Sequence, residues 1–341
     1  MTVYSIGDQA RAFAMRSASH RIKTTVDTLT SELSSGEVAD VAVRLKGNTQ
    51  GLSNIEARLS MMSQMKDNAA EAASMLQGMQ DAMGALQKGN SALGAALLAF
   101  APTDTPHSLA VRAGEAAHAF QAAASHLNTA VGGRFLFAGT HSDTAPLIPA
   151  DQILKELEDH IVGLTLTSAQ DVATEVARWF DAAPGGGFGF ADTAYRGSID
   201  EQQRIPVGEG TSISLKTTAL SPALRDELKA LAMGALLDRG VLSGNHSERV
   251  ALAQKAGEAM INNSGPLVAE MARVGIDQQM VERAQGETSA ATAALTISRN
   301  QIQLADPYQT AAALSEAESQ LEMLYTVTAR LSRLKLVDFL S

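Results

Sequence analysis

The chain has 341 residues, no cysteine, 45% apolar but only 4% aromatic residues, and a formal charge of −10. The missing cysteines exclude disulfides, thiolate metal sites and cysteine nucleophiles. The acidic balance, with no basic stripe, argues against nucleic acid as a partner, because phosphate contacts need Lys and Arg.

The apolar share comes from Ala, Leu, Met and Val, a composition suited to long packed helices. No run of about 18 apolar residues occurs, so no transmembrane helix is expected; the longest candidate is "ALGAALLAFA" at 92–101. The N-terminus lacks an apolar core of the secretory type. It is basic instead, with Arg11, Arg16, Arg21 and Lys23 against Asp8.

The first predicted helix carries Ile22, Val26, Leu29 and Leu33 on one face and stops at "SSG", with Gly36 as its cap. Ser53 and Glu56 then form a capping-box pattern. Behind them runs a seven-residue repeat. One seam position holds Ile55, Met62, Ala69, Leu76, Met83, Asn90 and Leu97; the other holds Arg58, Met65, Ala72, Met79, Leu86, Leu93 and Phe100. Such a repeat predicts a coiled-coil-like helix, roughly 70 Å long. Asn90 either fixes the register of that seam or faces a polar gap.

"APTDTP" breaks the helix at 101–106. Thr105 caps the next one, with Pro106 in its first turn. Its seam is Leu109, Ala113, Ala116, Phe120, Ala123, Leu127 and Ala130, and Gly132 and Gly133 are expected to end it. The two form an αα-hairpin. "FLF" at 135–137 follows, where Phe135 and Phe137 would share a face if the segment is a strand.

Residues 151–182 read as one or two amphipathic helices, and "PGGGFGF" at 184–190 as a loop. From Tyr195 to Thr218 the pattern turns β-like, with Ile213, Leu215 and Thr217 alternating with polar neighbours. Helix returns over 222–238 and 245–303, where Asn245 and Glu248 mark a start and Pro266 a kink or break. The last helix opens on Asp306, Pro307 and Gln309, with a seam of Leu314, Ala317, Leu321, Leu324, Thr328 and Leu331 widened by Leu334. The fold class expected is mainly α with a small inserted α+β domain, the two chain ends pairing as a long antiparallel bundle.

Chemistry is sparse. The seven histidines form neither H-E-x-x-H nor H-x-H. "HSD" at 141–143 holds the residue types of a serine triad, but three consecutive turn residues cannot place the base between its two partners. "PGGGFGF" lacks the Lys-Ser/Thr of a phosphate loop. No catalytic, cofactor or metal site is expected, and so no enzyme.

Two stretches carry a family resemblance. "ADPYQTAAALSEAESQLEMLYTVTARLSRLKLVDFL" (305–340) resembles the terminal helix of the flagellin family of bacterial flagellar axial proteins, down to its "L-S-x-L-x-L-x-x-F-L" type ending. "LTSELSSG" (29–36) resembles the end of that family's first helix, although the acidic pair that usually follows is absent. Within the family, "GGRFLFAGTHSDTAPL" (132–147) is similar to a segment of the hook-associated branch, and "YRGSIDEQQRIPVGEGTSISL" (195–215) to its small β-rich domain.

The resemblance implies a structural subunit, exported unfolded through the flagellar type III channel and folding on assembly between hook and filament, outside the cell. It implies a terminal helix and linker over 1–50, helical stalk halves over 51–147 and 244–304, a middle α+β domain over 148–243 and a terminal assembly helix over 305–341. Leu29, Leu33, Leu314, Leu321, Leu324, Leu331 and Leu334 would serve assembly and packing. Gly133, Arg134, Phe135, Phe137, Gly139 and Pro146 would form a signature hinge. The partners implied are further copies in a ring, the proximal hook-associated protein, flagellin and a cytosolic export chaperone, with neither nucleic acid nor membrane. A filament flagellin and an intracellular coiled-coil adaptor are the alternatives.

Overall fold

The computed structural model describes residues 6–199 and 203–340, with side-chain surroundings for 9–199 and 203–330. The described residues form α1 (Ile6–Ser35), α2 (Val41–Arg44), α3 (Gln50–Leu98), α4 (Pro106–Leu127), β1 (Ala130–Val131), β2 (Arg134–Phe135), α5 (Ala150–Val162), α6 (Ala169–Phe180), α7 (Phe190–Thr193), β3 (Gln203–Gly208), β4 (Thr211–Leu215), α8 (Pro222–Asp238), α9 (His246–Gln303) and α10 (Pro307–Leu340). The strands make two antiparallel pairs, β1–β2 and β3–β4. The expected class, mainly α with a small β element, holds.

Several helix ends form as the sequence dictates. Thr105 accepts from the Ser108 N–H with Pro106 in the first turn. Asp306 Oδ1 accepts from the N–H of Tyr308 and Gln309, and Asn245 Oδ1 from that of Glu248. Gly36 closes α1 at φ 74°, its N–H donating to Glu32 O.

Three expectations fail. Ser53 is no cap, because α3 starts at Gln50 and the Ser53 N–H already donates to Thr49 O. Pro266 does not end a helix: α9 runs through it. Pro266 and Asn262 are both on the exposed side, where water can satisfy the carbonyl that the proline leaves without a donor. Gly132 and Gly133 do not end α4, which closes at Asn128. They are the two-residue turn between β1 and β2, at φ 59° and 79°, where Val131 pairs with Arg134. Two consecutive positive φ values match the right-handed twist of a hairpin and favour Gly-Gly.

The chain divides into two compact units. One holds residues 62–289, the other 1–61 with 290–341. The boundaries fall inside α3 and α9.

The 62–289 unit contains a continuous apolar core. Of the α3 seam, Met62, Ala69, Ala72, Leu76, Met79, Met83, Leu86, Leu93, Leu97 and Phe100 are buried, and so is Asn90. From α4 come Leu109, Ala113, Ala116, Phe120, Ala123 and Leu127. Helix α8 is buried from Ala230 to Leu237 without a break. That explains a sequence that is apolar all round, "ALAMGALL". A fully buried Leu or Phe contributes roughly 1.5–3 kcal/mol through area removed from water. In the β3–β4 pair, Ile205 faces Ile213 and Gln203 faces Leu215, with a bulge between Pro206 and Gly208.

The described side chains of the other unit form almost no core. Among its described side chains only Leu52, Thr310 and Ala317 are buried. Helices α1 and α10 pack on each other.

Candidate assembly surfaces

The α1/α10 pair is antiparallel. Lys23 Nζ lies 5.7 Å from the centroid of the Tyr325 ring, while Glu37, further along, forms a β-bridge with Leu304. The elbow is stitched by the backbone: Val38 N–H to Gln303 O at 2.9 Å and Ala305 N–H to Gly36 O at 3.0 Å. Arg44 adds a hydrogen bond to Leu304 O at 2.8 Å.

The sequence-derived assembly residues fall on this pair. Leu29, Leu314, Leu321 and Leu324 are half-buried, and Leu33 is 40% exposed. The Leu331 and Leu334 side chains lie outside the described residues. Two helices bury one stripe each, and further apolar side chains stay in water: Phe13 at 69%, Tyr308 at 88% and Met323 at 64% exposure.

The segment predicted as a hinge is a cross-tie inside the 62–289 unit. The strand there covers only Arg134 and Phe135, so Phe135 and Phe137 do not share a strand face. Phe135 is half-buried, while Leu136, Phe137, Ala138 and Gly139 are buried in succession. Consecutive burial is possible because the backbone leaves the hairpin and is bonded on both sides. Phe137 O accepts from the Ala219 N–H at 3.0 Å, Ala138 O from the Ser198 N–H at 2.9 Å, and Pro146 O from the Arg196 N–H at 2.8 Å. Gly139 takes φ 64° to make the turn.

The Asn128 side chain clasps the Leu147 peptide, donating to its O and accepting from its N–H, both at 2.9 Å. Arg134 reaches Glu71 at 3.1 Å and Ser142 Oγ at 3.3 Å. Leu136 sits over Gly78 of α3, where an added Cβ would lie 2.8 Å from its Cδ1. The Tyr195 hydroxyl donates to Ser198 O at 2.9 Å, and burial raises its pKa above the usual value.

A buried polar triad went unread in the sequence. Glu227 of α8 is 2% exposed and accepts from Asn90 Nδ2 of α3 and Asn263 Nδ2 of α9. Asn263 also donates to Ala223 O at 2.9 Å, and its Oδ1 has no partner. Burial pushes the Glu227 carboxyl above its ordinary value against the two amide hydrogen bonds, and Asp226 adds to the rise. Asn90 and Glu227 border a cleft of about 180 Å³ with Met260 and Leu267. Asn90 was visible as a polar break in an apolar seam; its partners were not, because they arrive from two distant helices.

The glycine loop is ordered by one carboxylate. Asp192 accepts from the N–H of Gly185 at 2.8 Å, of Gly187 at 2.6 Å and of Phe188 at 3.3 Å. The Gly185 bond, with the others, holds its pKa low. His160 pairs with Glu175 at 3.3 Å and meets the Phe188 ring edge-on. His141 is exposed in the turn after β2. Among the described residues no cluster of three His, Asp or Glu could hold a metal ion, and no helix is long and apolar enough to cross a membrane.

Residues 6–142 match the model of the bacterial flagellin N-terminal helical region. No curated protein matches the chain by sequence. Similar solved structures include a protein from Vibrio parahaemolyticus described as flagellar hook-associated, 14% identical, covering 74% of this chain and 96% of its own with a TM-score of 0.46. FlgL from Bacillus cereus is also 14% identical, covering 72% and 99% with a TM-score of 0.47.

Proposed function

We propose that this chain, whose residues 6–142 match the bacterial flagellin N-terminal helical region, is a structural protein of the flagellin family and the subunit of the hook–filament junction. The observation that carries this reading is the "GGRFLFAGTHSDTAPL" segment, which resembles that of hook-associated protein 3, the distal junction protein. Its backbone bonds to 194–198 and 219 suit a tie between the long helices and the β3–β4 region. Signature residues Gly133, Arg134, Phe137, Gly139 and Pro146 act as packing, not as chemistry.

In this reading the protein leaves the cell unfolded through the flagellar export channel and acts outside it. A cytosolic chaperone covers the Leu321, Leu324 and Leu331 face beforehand. The terminal helices order fully when copies meet in a ring, between the proximal hook-associated protein and flagellin. The few buried side chains among the described residues of the terminal unit support folding on assembly, since they offset little of the entropy of ordering two long helices.

Deletion of the gene, with electron microscopy of hooks and assay of the culture supernatant, tests the reading. Bare hooks with flagellin shed into the medium are expected. Filaments of normal length on the mutant would overturn it. Recovery of the chain as the major component of sheared filaments would mark it instead as a filament flagellin.

A further inference from the structure

Charge on the terminal pair is segregated by sign. In residues 6–26 of α1 and 325–340 of α10 the sequence places seven Lys and Arg against Asp8 and Asp338. In residues 27–35 of α1 and 307–324 of α10 it places Asp27, Glu32, Glu316, Glu318 and Glu322 and no cation. The antiparallel register set by Lys23 beside Tyr325 and Glu37 beside Leu304 therefore puts like opposite like. Asp27 and Glu32 stand across from the acidic stretch of α10, and Arg16 across from the basic one. Arg16, Arg21, Glu316 and Glu322 are exposed, and no ion pair joins any of them to another described residue.

Each sign also has its own apolar neighbour on the outer face. Phe13, Arg16, Ser17, His20 and Arg21 line one shallow groove on α1. Glu316, Ser319 and Met323 recur at helical spacing on α10, on the side away from the Leu314, Leu321 and Leu324 stripe. Met323 and Phe13 are both exposed. The two faces are complementary in charge and alike in having an unburied apolar side chain. Both belong to the same chain, which makes a second copy the occupant that fits.

We propose that the outer face of α1 in one copy docks on the outer face of α10 in a second copy displaced along the helix axis, so that Arg16, Arg21 and Phe13 meet Glu316, Glu322 and Met323. The displacement is about 20 Å, the rise over the roughly 13 residues that separate the basic and acidic centres. Unlike charges then oppose each other at every step, and an unstaggered neighbour is repelled. The inference rests on the reading of the chain as an assembling subunit and adds the register of its assembly.

The chain has no cysteine, so single thiols can report on encounters in the full-length protein. Ser17→Cys and Ser319→Cys copies are mixed and treated with a short bismaleimide. The 17–319 product is expected to exceed each like-with-like product by about fivefold or more at low salt, and to fall toward the statistical ratio at ~0.5 M salt.

Arg16→Glu with Arg21→Glu in both thiol copies should abolish the preference, and so should Glu316→Lys with Glu322→Lys. Mixing the first reversal in the Ser17→Cys copy with the second in the Ser319→Cys copy should restore it, while circular dichroism shows unchanged helicity. A statistical product ratio in the parent, or a preference that salt and reversal leave untouched, overturns the proposal. These readouts need no flagellum, so they stand or fall separately from the deletion phenotype.

Discussion

The residue of greatest consequence for stability is Glu227. Its raised pKa is a linkage statement. A carboxyl whose folded pKa lies above its unfolded value leaves stability highest where both states are protonated. That contribution is lost as pH rises from the ordinary glutamate range through the raised folded value. The native state therefore carries the cost of a buried charge at neutral pH, offset by the Asn90 and Asn263 amides. Glu227→Gln removes the charge and keeps an acceptor, and its own N–H can meet the unpartnered Asn263 Oδ1 once that amide turns. Urea denaturation across pH 4.5–8 should show the parent losing stability toward neutrality and the Gln variant losing less. Glu227→Ala should cost about 2–4 kcal/mol at the acid end of that range, since it strands two buried donors, and less toward neutrality, where the parent carries the buried charge. Phe137, fully buried in the cross-tie, should cost about 3–5 kcal/mol on truncation to Ala, read as a lower urea midpoint.

At the scale of elements, close helix contacts are set by small residues, and they give predictions of opposite sign on one helix. A Cβ on Gly257 of α9 would sit 2.5 Å from Gly94 O and 2.6 Å from Leu98 N, both rigid α3 backbone. Gly257→Ala should therefore destabilise by ~1–3 kcal/mol through overpacking. Gly265, eight residues on, has nothing within 4 Å, so Gly265→Ala should stabilise by up to ~1 kcal/mol through helix propensity. Thermal unfolding of the two variants beside the parent checks both. The elements themselves were largely legible. A seven-residue repeat sustained from Met62 to Phe100 has few other solutions, and Thr105, Asn245 and Asp306 cap as their chemistry requires. The failures have a common cause. Gly132-Gly133 suits both a helix stop and a hairpin turn, and Pro266 suits both a break and an exposed turn of a long helix. In each case the choice belongs to tertiary surroundings. The Glu227 triad lay further from view still, because three helices must meet before its hydrogen bonds exist. The terminal leucine stripe was readable from spacing; the charge segregation beside it needed the observed antiparallel register.

At the scale of the whole molecule, stability is divided unequally. The 62–289 unit holds the continuous core, and α8 is enclosed from Ala230 to Leu237. The terminal unit buries three described side chains. Over the described side chains of α1 and α10, the backbone hydrogen bonds are then guarded by little more than one half-buried stripe. Local opening of such helices costs far less than global unfolding, whereas α8 can open only when its unit does. Hydrogen exchange of the isolated full-length chain should show this as a contrast. Amides of 230–237 are expected to exchange at the global limit. Those of 9–33 and 308–330 should exchange at least about a hundredfold faster, which a difference of ~3 kcal/mol in opening free energy already supplies. Cross-linked pairs of copies should recover protection in the terminal segments and leave α8 unchanged. Equal protection in the terminal helices and α8 of the free chain would mean that the terminal pair is stable by itself, and folding on assembly would lose its physical basis.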